Sequence, residues 1–352
     1  MSRFALIVAA ACSSPSARPS AKPAPLVDDQ LQLLVTPAAD HAPFVRAIDG
    51  AKASVDLAMF HLTDVTVVDA LMRAAARGAT VRVILDGRSL QDKKYAIQAN
   101  ALRAGGASVR PSSAAFSITH EKAMVIDKTI AFVTAINLTR DAASTRDFGV
   151  ITRAPGVIAD VEALFDADWA NAAGSAGVTP AQREPSLVVS PTSSRAKLVG
   201  LIASAQRDVI ATVENLGDPS IANALIDDAK RGVRVRLIVP LCDKNPDPLY
   251  NLVPARRLAG AGVLVRMMPA PADGYDAAHP YMHSKMIQID AATTYVGSEN
   301  FSINSLAKAR ELGLVFANST AAQTIGSAFE ADWTAAAPPP ADGIQPDCPG
   351  GE

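Results

Sequence analysis

Two stretches of this chain repeat one another, and that limits its fold more than any other property. Arg77-Gly78-Ala79-Thr80-Val81-Arg82-Val83-Ile84-Leu85 recurs as Arg231-Gly232-Val233-Arg234-Val235-Arg236-Leu237-Ile238-Val239. In each copy a glycine at a helix end is followed by an alternating strand. Ala104 to Arg110 returns as Ala259 to Arg266 with one inserted residue. His120-Glu121-Lys122 returns as His283-Ser284-Lys285, and Phe165-Asp166-Ala167-Asp168-Trp169 as Phe329-Glu330-Ala331-Asp332-Trp333. Order and spacing are kept throughout, so the chain holds two copies of one architectural unit.

Each copy reads as strand, helix, strand, helix, two strands around the histidine motif, a further strand and a closing helix. In the first copy Val55 to Phe60 is strand-like, Val65 to Ala76 has helical spacing and Thr80 to Leu85 is again a strand. That alternation predicts an α/β protein of two similar halves, each a mixed sheet covered by helices, packed about a pseudo-twofold axis. The halves are placed at residues 29–175 and 176–334, with Pro180 to Ser190 as connector. A hydrophobic content of 49% is enough for a sizeable core.

The flanks read differently. Arg3 precedes a short apolar run that ends in Ala9-Ala10-Ala11-Cys12, so residues 1–12 resemble a signal peptide closed by the lipobox cysteine of bacterial lipoproteins. This predicts export and a membrane tether through lipidated Cys12; an ordinary cleaved signal is the alternative. Residues 13–28 read as a disordered Ser/Pro/Ala tether and 335–352 as a Pro-rich tail of the same kind. No later segment approaches the ~18 unbroken apolar residues of a membrane helix, so the remainder is expected to be soluble. Cys242 and Cys348 could form a disulfide in an exported protein, with two separate thiols the equal alternative.

In a strand, residues two apart share a face, which puts His120 with Lys122 and His283 with Lys285. Asn137 follows His120 by seventeen positions, and Asn300 follows His283 by the same seventeen. Return strands over 129–136 and 292–297 would bring each asparagine back to its own His and Lys. Asp147 and Glu311 stand in matching places ahead of Phe148-Gly149 and Leu312-Gly313. Asp127 and Asp290 have the opposite strand parity and read as supports of the fold. A phosphodiester needs such a set: fixed cationic and amide donors for its anionic oxygens, a neutral nucleophile for phosphorus and an acid for the leaving oxygen.

His-x-Lys, four residues, Asp, and then Gly-Ser-x-Asn resembles the signature of the phospholipase D superfamily, and it occurs here twice. The second copy reads Gly297-Ser298-Glu299-Asn300; the first, Thr134-Ala135-Ile136-Asn137, lacks the Gly and Ser. The resemblance implies the phospholipase D fold, one site shared by both halves, a phosphohistidine intermediate, and neither metal nor cofactor. It assigns His120 as nucleophile and His283 as acid, with Lys122, Lys285, Asn137, Asn300 and Ser298 holding substrate and Asp147 and Glu311 orienting the imidazoles.

The expected substrate is a phospholipid diester, hydrolysed or transferred to an alcohol. The alternatives are an endonuclease of the same superfamily, a cardiolipin-synthase-like phosphatidyltransferase and a non-catalytic envelope binding protein. A net charge of -2 supplies no overall attraction for a polyanion, which makes nucleic acid the weaker partner. A chain carrying both halves of the site is expected to act as a monomer. The sequence contains neither a His-Glu-x-x-His metal motif nor a Gly-x-x-x-x-Gly-Lys-Ser/Thr phosphate loop. His41, His61 and His279 have no support from the repeat and default to surface or loop positions. His61 alone could line the cleft, because it follows a strand where Asn215 follows the matching one. Trp169 and Trp333 are expected to anchor the core from the closing helices.

Overall fold

The computed structural model describes residues 22–242, 250–341 and 348. Cys12 and the signal segment lie outside the described residues. Each half builds one sheet with the same strand order. In the first half it runs Gln32–Val35, Phe148–Thr152, Ile130–Thr134, Lys122–Ile126, Ser54–Met59, Thr80–Leu85, Ser108–Pro111. In the second it runs Leu187–Ser190, Glu311–Ala317, Thr293–Gly297, Lys285–Ile289, Asp208–Val213, Arg234–Pro240, Leu264–Met268. The last three strands of each order are parallel and the others pair antiparallel, as the mixed-sheet reading requires.

Local chemistry explains the repeated elements. Helices Val65–Ala76 and Pro219–Lys230 start at Asp64 and Asp218, whose carboxylates accept the N–H of Thr66 and Ser220. Both end on a glycine in the left-handed region, Gly78 at φ 93° and Gly232 at φ 89°. The hairpin after each His strand turns through two residues of positive φ, Asp127-Lys128 and Asp290-Ala291, the tight turn that suits strand twist. Asp127 then accepts the N–H groups of Lys52, Ala53 and Ser54 at 2.7 to 2.8 Å. Asp290 does the same for Gln206, Arg207 and Asp208 at 2.8 to 3.1 Å. Each aspartate ties its turn to the start of the central strand, away from the histidines.

The outer face of each sheet buries its own helices. The inner faces share one core, in which Val125, Val133 and Val150 of one sheet meet Val296, Leu314 and Phe316 of the other. The closing helices Pro155–Ala170 and Ser319–Ala335 seal it. Trp333 sits at its margin and Trp169 at that of a small cluster of Ala58, Ile84 and Phe165, and both are only half-buried. Arg82 and Arg110 cover Trp169 at 5.6 and 4.3 Å, and Arg236 and Arg266 cover Trp333 at 5.7 and 4.8 Å. Each indole is thus a cation-capped edge of the core, not an interior anchor.

Three segments differ from the sequence reading. Within the expected tether, Leu26–Val27 pairs in parallel with Phe316 and Ala317, so the fold begins before residue 29 and does so on the sheet of the second half. The last part of the connector, Leu187–Ser190, is a fully buried strand. The start of the Pro-rich tail is also fixed: Ala337 pairs with Met267, and Arg256 donates to the carbonyl oxygens of Pro340 and Ala341. The connector strand is held by the burial of Leu187, Val188 and Val189, whereas the N-terminal strand and the tail are attached through backbone groups, which low side-chain hydrophobicity does not forbid. Cys348 is disulfide-bonded to Cys242, closing a span of 106 residues. Among the described residues no helix is long and apolar enough to cross a membrane.

Candidate active site

The two halves exchange backbone contacts at the histidines. Tyr281–Met282 pairs in parallel with Thr145–Arg146, and Thr119 bridges Arg310 in the same sense. As a result the His120 N–H donates to the Arg310 carbonyl at 2.8 Å, and the His283 N–H to the Arg146 carbonyl at 3.2 Å. The residue after each of those carbonyls is the carboxylate of the other half. His120 Nδ1 is therefore 2.8 Å from Glu311, and His283 Nδ1 is 2.9 Å from Asp147. Each imidazole belongs to one half and its carboxylate to the other.

With Nδ1 committed, each Nε2 turns toward a cavity of about 730 Å³ lined by Phe60, His61, Tyr95, His120, Asn137, Asp147, Glu214, Tyr281 and His283. Lys122 and Lys285 lie fully buried beneath it, and each ammonium donates to the carbonyl of its own histidine, at 2.6 Å for Lys122. Asn137 faces the cavity, and its Oδ1 has no partner among the described residues. Asn300 accepts the Asn215 N–H at 3.0 Å and donates to Glu214 at 3.2 Å. Ser298 is not with them. It is fully buried, and its hydroxyl bridges the backbone of Leu312, so it joins two strands and does not line the cavity.

The family model described as "Cardiolipin synthase, PLD-like domain" matches residues 44–169 and again 198–333. The chain belongs to this phospholipase D-like family. It is 25% identical over 274 residues to a cardiolipin synthase of Geobacillus thermodenitrificans, which covers 67% of this chain and 51% of that protein. It is 32% identical over 117 residues to phospholipase D Y of Dictyostelium discoideum, covering 33% of this chain and 25% of that one. The chain thus spans about half of the first relative and a quarter of the second. Phosphatidylserine synthase of Haemophilus influenzae Rd KW20 shares the fold at a TM-score of 0.69 with 11% identity, covering 89% of this chain and 87% of its own.

In this phospholipase D-like site burial and charge set the protonation states. Burial pushes His120 below the ordinary imidazole range, and Lys122 and Lys285 add to that against the pull of Glu311. Burial, reinforced by Lys285, draws Lys122 down to about 7. Burial would raise Glu311, but His120 and Lys122 outweigh it and keep that carboxyl below its usual range. The site can present one neutral imidazole, fixed donors and a second imidazole held by a carboxylate.

Four residues around it escaped the sequence reading. Glu214 contacts Lys285, Asn300 and His283; Phe60 packs on His120; Tyr281 donates to Glu214 at 3.1 Å. His41 is buried, not superficial: Nδ1 meets Asp64 at 2.6 Å and Nε2 meets the Asn137 carbonyl at 3.1 Å. His61 does line the cavity, stacked between Phe60 and Tyr95 at 3.7 and 4.3 Å, and burial together with Lys122 and His120 pushes it to about 2. His279 is exposed as expected. Continuing the repeat two residues past the central strands, where it aligns His61 with Asn215, would also have aligned Phe60 with Glu214. Among the described residues no group of His, Cys, Asp and Glu forms a candidate metal cluster.

Proposed function

We propose that the protein is a phosphodiesterase of phospholipid diesters that works through a phosphohistidine on His120. The observation that carries this is the facing pair of imidazoles, each held at Nδ1 by the opposite half and open at Nε2 to one cavity above two buried lysines. In the first step the His120 Nε2 lone pair forms the P–N bond while the P–O bond to the leaving alcohol breaks. The His283 Nε2 proton goes to that oxygen. In the second step His283 takes a proton from water, or from an acceptor alcohol, whose oxygen forms the new P–O bond as the P–N bond breaks. Lys122, Lys285 and Asn137 hold the phosphoryl oxygens, which spreads their charge over fixed donors.

A lipid substrate suits the neutral overall charge and the names of the relatives, a cardiolipin synthase and a phospholipase D. It also suits a membrane tether through Cys12, which we propose on the signal-like start alone. Detergent partitioning checks the tether: wild type should enter the detergent phase and Cys12→Ser should not. The substrate is tested with a panel in chelator of phosphatidylcholine, phosphatidylethanolamine, phosphatidylglycerol, cardiolipin and single- and double-stranded DNA. Headgroup release or exchange with DNA untouched is the expected result. DNA cleavage with inert lipid would replace the lipid reading by the nuclease one, and loss of all turnover restored only by added metal would remove the phosphohistidine scheme.

A further inference from the structure

The repeat makes the halves equivalent at His, Lys, Asn and the exchanged carboxylate. It breaks at the residue that follows each central strand. After Ser54–Met59 comes Phe60; after Asp208–Val213 comes Glu214. The Phe60 ring lies 4.7 Å from the His120 ring and 5.2 Å from the Lys122 ammonium. Glu214 instead places Oε2 2.9 Å from Lys285 Nζ, 3.2 Å from Asn300 Nδ2 and 3.6 Å from His283 Nε2. The His283 ring thus has a carboxylate at each nitrogen, Asp147 at one and Glu214 at the other. His120 has a carboxylate at one side and an aromatic face at the other.

Given the phosphodiester chemistry proposed above, on which this rests, we infer that Glu214 is the positioning residue that breaks the twofold symmetry of the site: it keeps the proton on Nε2 of His283, which makes that ring the acid for the leaving oxygen and leaves His120 as the nucleophile. Asp147 and Glu214 are the carboxylates beside the His283 ring; Lys285 is paired with Glu214 at 2.9 Å, and Lys122 and His120 belong to the opposite half. Tyr281 presents a ring 6.4 Å away, and His61 is neutral. Glu214 is thus a second carboxylate at the His283 ring, where the first half has only the Phe60 face beside His120. Burial would raise Glu214, yet Lys285 and His283 hold its carboxyl well below the usual range, so it is charged wherever the enzyme works. Phe60 offers His120 no such charge, and its apolar face adds to the burial that keeps that ring neutral.

Glu214→Gln keeps the length and the hydrogen-bonding capacity of the side chain and removes the charge. In the resting full-length protein, the NMR titration midpoint of His283 is expected to fall by about one pH unit or more relative to wild type, the size of effect an opposite charge at this range exerts. Glu214→Asp should restore most of it. The basic limb of kcat for an alkyl diester should move down in parallel, and loss on that substrate should exceed loss on an activated aryl diester by at least about tenfold. Should the Gln variant not fold, Glu214→Met gives the same readouts. An unmoved His283 titration overturns the assignment, as does equal loss on both substrates. If wild type turns over no phosphodiester, the functional reading fails, while the NMR titration still decides what Glu214 does.

Discussion

His120→Ala will abolish turnover of every phosphodiester the protein accepts, whereas His283→Ala will be rescued by a good leaving group. Without the His120 lone pair no P–N bond forms, so the loss should reach about 10⁴-fold or more, and no phosphoenzyme should be trapped with either an alkyl or an activated aryl substrate. Loss of His283 removes only the proton for the departing oxygen, which costs about 10²- to 10⁴-fold on an alkyl diester. An aryl oxide that leaves without a proton should recover all but about tenfold of it. If His120→Ala is the variant that the activated substrate rescues, the roles are exchanged; if neither substitution matters, the shared site is wrong.

The pH profile follows from the same groups. Burial holds His120 below the ordinary imidazole range, so the nucleophile stays neutral into mildly acidic solution. Lys122, drawn down to about 7, loses its proton as the pH rises through that value, and the empty site then holds a diester less well. kcat/KM, which reports the free enzyme, should fall above about pH 7. kcat should hold to higher pH, because bound phosphate favours the charged lysine. Coincident basic limbs for the two constants would count against that role of Lys122.

Exchange of carboxylates between the halves makes a second strong expectation. Asp147 lies in the first half but serves His283, and Glu311 lies in the second but serves His120. Asp147→Asn should therefore behave as a weakened His283 variant, losing about 10²-fold or more on an alkyl diester and little on an activated one. Glu311→Gln should lose comparably on both, because the cationic ring of the phosphohistidine is left without its counter-charge. Double variants sharpen this: adding Asp147→Asn to His283→Ala should cost almost nothing further, since the partner it acts through is gone. If Asp147→Asn instead reduces both substrates alike and adds fully to His283→Ala, each carboxylate acts within its own half and the exchange has no mechanistic meaning.

The correspondence between halves was legible in the sequence because a repeat compares the chain with itself and needs no knowledge of partners. Strand parity alone separated Asp127 and Asp290 from the His-Lys face, and the structure places both on backbone N–H groups at the far end of the sheet. Ser298 was placed with the substrate by the Gly-Ser-x-Asn resemblance alone, and a motif letter does not say whether a hydroxyl faces the cavity or a neighbouring strand; here it bonds the backbone of Leu312. Glu214 was missed because no motif letter marks it, and the repeat shows phenylalanine in its place.

The sequence by itself determined the alternation of strands and helices in each half, the hairpins that follow both His strands, and the His, Lys, Asn and carboxylate inventory, since all of these arise from short-range periodicity, turn chemistry and repetition; the order of strands in each sheet came from the tertiary structure. Only the tertiary structure decided which carboxylate meets which imidazole. That choice depends on Thr119 pairing with Arg310 and Tyr281–Met282 with Thr145–Arg146, contacts between distant parts of the chain whose geometry is set when the two inner sheet faces bury Val125, Val133 and Val150 against Val296, Leu314 and Phe316. Side-chain spacing carries the direction in which a residue points. What it points at is settled by how apolar faces pack, and that is a property of the whole fold.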